Sequence, residues 1–99
     1  MNGLIVLEPY ATQIINGEKE SELRYRIPPK QYQQTIIYLL TGGYILGRIK
    51  ITGFGWDDYQ GTYYWRIKVI TKYKNRKKYN HPNGAQVWVK DVDKVQLKL

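Results

Sequence analysis

The run TIIYLLTGGYILGRIKIT, residues 35–52, sets Gly42 and Gly43 between two apolar, β-branched arms. Adjacent glycines take the positive φ of a two-residue turn whose twist matches that of the flanking strands, so the run predicts an antiparallel hairpin. In the second arm Ile45, Gly47, Ile49 and Ile51 share one face, while Arg48 and Lys50 point the other way, toward solvent or a ligand. Downstream, Gly53, Gly55 and Gly61 bracket a loop of Trp56, Asp57, Asp58 and Tyr59. A long strand begins near residue 62, where Trp65, Ile67, Val69, Thr71 and Tyr73 alternate with Tyr64, Arg66, Lys68, Ile70, Lys72 and Lys74. That period of two predicts one core face and one continuous basic stripe. A loop at residues 81–84, a strand over residues 86–92 and a period-two segment through Val95, Leu97 and Leu99 complete the chain.

Upstream of the hairpin, the apolar residues 4–7 predict a buried strand that runs into Pro9, whose fixed φ suits the first turn of a helix. Tyr10, Ala11 and Ile14 share a helical face and Gly17 supplies the residue favoured just past a helix end, so the helix has about two turns. Ser21, Leu23 and Tyr25 then alternate with Glu22, Arg24 and Arg26, a strand with one charged face. Pro28 and Pro29 stop it, because neither ring can donate to a ladder. Six or seven short strands with one or two short helices predict a mainly β, α+β fold. It forms a single domain over residues 1–99 that closes into a small barrel or a strongly curled sheet, since closure hides strand edges.

Composition excludes several classes of function. The 99 residues carry 16 Lys+Arg, 8 Asp+Glu, one His and no Cys, a formal charge of +8. That length leaves room for one modest core, not for a multidomain enzyme. Without cysteine there are no thiolate zinc sites, disulfides or thiol nucleophiles, and a reducing compartment suits the chain. The longest apolar run, residues 36–40, is too short to cross a bilayer and no signal-peptide pattern precedes it, so a cytoplasmic protein without a membrane partner is expected. His81 sits alone in a His-Pro-Asn-Gly loop, and the adjacent Asp57 and Asp58 would face opposite ways on a strand, so no metal site is expected. No glycine-rich phosphate loop is present, and no cofactor is expected.

The charge is uneven. Residues 1–49 hold five basic and four acidic side chains, whereas residues 50–99 hold eleven and four. Arg66, Lys68, Lys72, Lys74, Arg76, Lys77 and Lys78 fall within thirteen residues, interleaved with Tyr64, Tyr73 and Tyr79. Cations alternating with flat rings suit a polyanion that itself carries rings, and these seven are the candidate phosphate contacts. The near-neutral half holds the other candidate site, Gly-Glu-Lys-Glu-Ser-Glu-Leu-Arg at residues 17–24. On a strand Glu22 and Arg24 project from one face about 7 Å apart, with Lys19 at the mouth. A carboxylate there accepts hydrogen bonds from exocyclic amines, and the cations donate to carbonyls or phosphates. The same spacing also suits a solvated salt-bridge ladder.

The strand at residues 4–7, then Glu-Pro-Tyr-Ala, a short helix and G-x-K-x-x-E-x-R resembles the ASCH domain family of the PUA-like barrel superfamily. The Tyr64-Trp65 strand and the Gly84, Val87-Trp88-Val89 segment resemble that family's later aromatic strands. The resemblance implies a small PUA-like pseudobarrel whose cleft, between the helix and the G-x-K-x-x-E-x-R strand, engages RNA or a modified nucleobase. Carried over by position, Lys19, Glu22 and Arg24 line the cleft, Gly17 allows a tight approach, Tyr10 lies at the cleft or in the core, and Trp65 forms the core or the cleft floor. Short members of the family resemble amidohydrolases of 4-acetylcytidine that use a lysine and, three residues later, a threonine nucleophile. Here Lys19 matches and Glu22 stands at the threonine position, with Ser21 one residue away on the opposite face.

Three functions are therefore weighed. The first is an RNA-binding module with a base in the cleft and phosphates on the basic stripe. The second is a hydrolase of acylated cytidine nucleosides in which Lys19 and Glu22 are catalytic, the carboxylate activating water. The third is a protein-interaction domain that docks on an acidic partner.

Overall fold

The computed structural model describes residues 1–97. Gly42 and Gly43 adopt φ of 56° and 82°, and the expected hairpin forms between β3 (Ile36–Thr41) and β4 (Tyr44–Asp57). β4 pairs in turn with β5 (Thr62–Lys78), and β5 with β2 (Ser21–Arg24). On the other side β3 pairs in parallel with β1 (Gly3–Ile5), which pairs with β6 (Trp88–Val89). The sheet order is β2-β5-β4-β3-β1-β6. With the two short helices α1 (Tyr10–Ile15) and α2 (Val92–Leu97), this is a mainly β, α+β fold.

The sheet curls into an open half-barrel, so its two ends face each other without pairing. Arg24 on β2 donates from Nη2 to the carbonyl of Ile5 on β1, at 2.8 Å. Trp65 on β5 stacks over Trp88 on β6 with centroids 6.0 Å apart, and Trp88 stacks on Tyr32 at 4.0 Å. Tyr32 comes from a 3₁₀ turn, Lys30–Tyr32, that follows the two prolines.

Bulges decide which side chains face where, and a period of two cannot reveal them. Leu39 pairs with Gly47 but Leu40 with Ile45, leaving Leu46 extra. An extra residue reverses the alternation. Ile45 therefore leaves the face of Ile49 and Ile51, contrary to the simple pattern, and joins Leu40, Tyr79, Val89 and Val92 in a second core on the outer face. The main core, on the inner face, gathers Leu4, Val6, Ile37, Leu39, Leu46, Ile49, Ile51 and Trp65 with Ala11, Ile14 and Ile15 of α1. In β5, Ile70 is extra between the partners of Arg48 and Ile49, and residues 73–76 lie between the partners of Ile45 and Gly47.

Other expectations also give way. The stretch after Gly53 is strand, not loop: β4 runs on to Asp57, whose Oδ1 accepts the amide hydrogens of Tyr59 and Gln60 at 3.0 and 3.1 Å. The strand over residues 86–92 shrinks to Trp88–Val89 because Asp91, at φ 52°, turns the chain out of the sheet. The closing period-two segment is α2; Val92 and Val95 lie three apart, a spacing that a short apolar segment shares between strand and helix. Leu99 lies outside the described residues. Val92 is buried against the second core, and Asp93 accepts hydrogen bonds from the Met1 amino group and the Tyr38 hydroxyl. Those two donors hold the Asp93 carboxyl below its ordinary pKa. Among the described residues no helix is long and apolar enough to cross a membrane.

Helix α1 follows a cis Glu8–Pro9 peptide. Pro9 provides no side-chain cap. Glu8 supplies one instead, accepting the Thr12 amide hydrogen at Oε1, 2.8 Å, and the Thr12 hydroxyl at Oε2, 2.5 Å. At the far end Gly17, at φ 78°, donates to the Ile14 carbonyl, and Glu18 and Lys19 donate to that of Gln13. The first two of these bonds are a Schellman stop.

Candidate functional site

The gap between the facing ends of the sheet is an open cleft of about 1130 Å³. One wall is β2, with Glu22, Leu23 and Arg24, continued by Tyr25. The other is Ile5 and the segment carrying Tyr79, His81, Ala85 and Gln86. The Gly42-Gly43 turn borders one rim, and Tyr10 and Lys19, from either end of α1, border another.

The pairing of β2 with β5 explains the first wall. Glu22 lies across from Trp65 and Arg24 across from Tyr63, so both charges are on the inner, concave face, while Ser21 and Leu23 are on the outer one. Glu22 is buried, at 7% exposure. Its Oε2 accepts from Arg24 Nη2 at 2.9 Å, and the same nitrogen serves Ile5. Oε1 has no protein donor among the described residues, and no buried polar atom is orphaned, so this oxygen opens onto the cleft. The Arg24 guanidinium carbon lies 5.6 Å from the centroid of the Trp65 ring, within cation–π range. A carboxylate fixed in this way can accept a hydrogen bond from a ligand without reorganising.

Tyr10 is half exposed at the cleft, and Lys19 Nζ lies 5.6 Å from the centroid of its ring. The structure decides the alternative left open for Trp65 and bears on the reading of Gly17. Trp65 is core, 2% exposed beneath Arg24, with its indole N–H donated to the Arg26 carbonyl at 2.8 Å; it does not line the cleft. A Cβ on Gly17 would meet no protein atom within 4 Å and Gly17 is not among the residues lining the cleft; its φ of 78° serves the left-handed helix stop. Ser21 projects to the outer face of β2 and is not among the residues that line the cleft.

Sequence reasoning missed the far wall. It placed His81 in a loop, correctly, but nothing local tells that the loop after β5 folds back over Ile5. His81 Nε2 lies 2.9 Å from the Ala85 carbonyl, which can only accept, so Nε2 carries the hydrogen. Nδ1 then accepts from the Tyr79 hydroxyl at 2.8 Å. Burial pushes the pKa of that hydroxyl up, so it remains a donor. Among the described residues no three His, Asp or Glu side chains are grouped to hold a metal.

The cations do not form one stripe, because the extra residue at Ile70 reverses the face. Arg66 and Lys68 stand on the outer face, with Lys68 directly across from Lys50. Lys72 lies across from Gly47 on the inner face, beside α1, and Arg76 bonds to Glu8 and Thr12. Lys77 and Lys78 lie across from Ile45 and Tyr44, next to the Gly42-Gly43 rim of the cleft, with Lys77 Nζ 4.9 Å from the centroid of the Tyr73 ring. Like charges set directly opposite, as Lys50 and Lys68 are, destabilise a sheet unless an anion joins them. No protein-family model matches this chain, and no curated protein matches it.

Proposed function

We propose that this domain binds unpaired RNA, holding one base or modified base in the cleft and the flanking phosphates on the cations of β5. The observation that carries this is the single open oxygen of Glu22, on a dry carboxylate already positioned by Arg24, in a cleft bordered by exposed tyrosines. An acceptor so placed selects a ring that offers an N–H, and tyrosines stack on any base. The resemblance of residues 4–24 to ASCH domains supports the same reading. The absence of cysteine suits a cytoplasmic partner.

The test is a filter-binding titration against a random RNA pool at several salt concentrations. With four to seven phosphates neutralised, log affinity falls against log salt with a slope of roughly −3 to −5. Lys72→Glu with Lys74→Glu weakens all sequences alike, whereas Glu22→Gln changes base preference. Affinity no better than millimolar for every pool, or no salt dependence, would overturn it.

One observation favours a second reading: Lys19 and Glu22 border the same cleft. A hydrolase of 4-acylated cytidines would use them to activate water and hold the developing oxyanion. The commitment of Glu22 Oε2 to Arg24 favours binding over this chemistry. Release of cytidine from 4-acetylcytidine, lost in both Lys19→Ala and Glu22→Gln, would reverse the preference.

A further inference from the structure

The polar side of α1 is as ordered as its apolar side. Glu8 precedes the helix, Thr12 lies in its first turn and Asn16 caps its end, and the three meet the same stretch of β5. Each takes a bond from β5. Arg76 Nη2 donates to Glu8 Oε2 at 3.2 Å and to Thr12 Oγ1 at 2.9 Å, and Lys72 Nζ donates to Asn16 Oδ1 at 2.5 Å. Lys72 and Arg76 bracket the segment where β5 departs from its pairing with β4. Lys74, between them, has no bonded partner among the described residues. Lys72, Lys74, Arg76, Thr12 and Asn16 line a pocket of about 180 Å³. It lies on the flank of α1, whose first residue, Tyr10, borders the cleft together with Lys19 beyond the helix.

The chemistry of this pocket is one-sided. Arg76 Nε and Nη1, the Lys74 ammonium, the two remaining N–H groups of Lys72 and the Asn16 amide hydrogens are all donors. The Thr12 hydroxyl donates its one hydrogen to Glu8 and accepts from Arg76. Its bond is the main cause that holds Glu8 below the ordinary carboxylate range. Three cations against one carboxylate leave two charges uncompensated. A phosphodiester carries one negative charge, whereas a phosphate monoester carries close to two at neutral pH with oxygens that only accept.

We propose that the pocket between α1 and the β5 bulge binds a phosphate monoester, the terminal phosphate of an RNA strand whose neighbouring base enters the cleft. The assignment of the ligand to RNA rests on the function proposed above; the preference for a monoester rests on the pocket alone. α1 contributes Tyr10 to the cleft and Thr12 to the pocket, and a strand that passes one helix, a diameter of about 10 Å, needs about two nucleotides. In this arrangement Glu8 and Thr12 position Arg76, Asn16 positions Lys72, and Lys74 closes on the phosphate.

Two measurements on the full chain test it. In the first, short RNAs that differ only in a 5′-phosphate, a 3′-phosphate or free hydroxyls at both ends are compared by fluorescence anisotropy. One phosphorylated end should raise affinity about tenfold, the worth of one or two charge-assisted hydrogen bonds. That ratio should fall toward one in Lys74→Met and Arg76→Gln, and also below about pH 6 as the monoester loses its second charge. Lys74→Met leaves every observed bond in place, so its melting temperature should match the parent. In the second, phenyl phosphate and the monoanionic dimethyl phosphate are titrated into labelled protein and followed by NMR. Phenyl phosphate should shift the amides of Asn16, Lys72 and Lys74 well before dimethyl phosphate does. Equal affinities for all three RNAs, with no shift at the pocket, would overturn the proposal while leaving RNA binding standing. Shifts at the pocket from phenyl phosphate, without binding of any RNA, would keep the pocket and overturn the RNA reading.

Discussion

Two glutamate–arginine pairs, one in each candidate site, are built from the same groups and do different work. Glu22 and Arg24 meet at 2.9 Å with side chains only 10% and 21% exposed, whereas Glu8 and Arg76 meet at 3.2 Å with 42% and 46% exposed. The first pair belongs to one short strand and, through Ile5, ties the two ends of the half-barrel together. The second joins α1 to β5 across the chain, in water. A dry pair interacts strongly and holds its geometry, while a wet one is screened and adjustable. On the proposed function, selectivity belongs in the cleft and electrostatic grip on β5, so mutation should separate the two.

The largest expected effect comes from breaking the dry pair. Arg24→Met leaves the Glu22 carboxylate uncompensated and the Ile5 carbonyl without its partner, and should cost about 3 kcal/mol in urea denaturation. Adding Glu22→Gln should recover part of this, because the stranded charge is then gone. Arg76→Met should cost no more than about 1 kcal/mol. Equal losses at Arg24 and Arg76 would abolish the distinction between the two sites.

A somewhat smaller effect tests the backbone that separates them. Gly47 lies where β5 leaves its pairing with β4, and a Cβ there would come within 2.1 Å of the Thr71 carbonyl oxygen and 2.9 Å of the Ile15 side chain. Gly47→Ala should cost about 2 kcal/mol and, on the proposed function, weaken RNA binding, since the strand that carries Lys72 must move. Gly53→Ala meets nothing within 4 Å and should stay within about 0.5 kcal/mol of the parent. If the two substitutions were equally tolerated, the close approach of β4 and β5 would not be what sets the bulge.

These glycines also show what the sequence conveyed. The hairpin was legible because Gly42 and Gly43 state a local backbone need, and the two-turn helix because Gly17 does the same. The shared face of Glu22 and Arg24 was legible because β2 has no bulge. Ile45 and the continuous stripe were misjudged because Leu46 and Ile70 are ordinary apolar residues whose extra place in the ladder depends on the neighbouring strand. Trp65 was ambiguous because core and cleft floor are both apolar. The far wall with Tyr79 and His81 depends on long-range folding back of a loop. The row Glu8, Thr12, Asn16 was present as a four-residue spacing, and a search for polar faces as well as apolar ones would have found it.

The smallest effect is the pH dependence of the wet pair, and it distinguishes hydrogen bonding from charge pairing. The Glu8 carboxyl is held below its ordinary value of 4.5 mainly by the Thr12 hydroxyl, then by the Thr12 amide and Arg76. A carboxyl whose pKa is lower folded than unfolded adds stability at pH values above the unfolded one, and that stability disappears as the pH falls through the folded one. The difference in melting temperature between parent and Glu8→Gln should therefore be flat from pH 7 to about 5 and close below about 4.5. Asp93 is shifted the same way, so only this difference isolates Glu8. Molar salt should remove the part due to Arg76 and leave the part due to Thr12. A difference that vanished entirely in salt would make Arg76 the dominant partner, and the row along α1 would then hold its cation by charge alone.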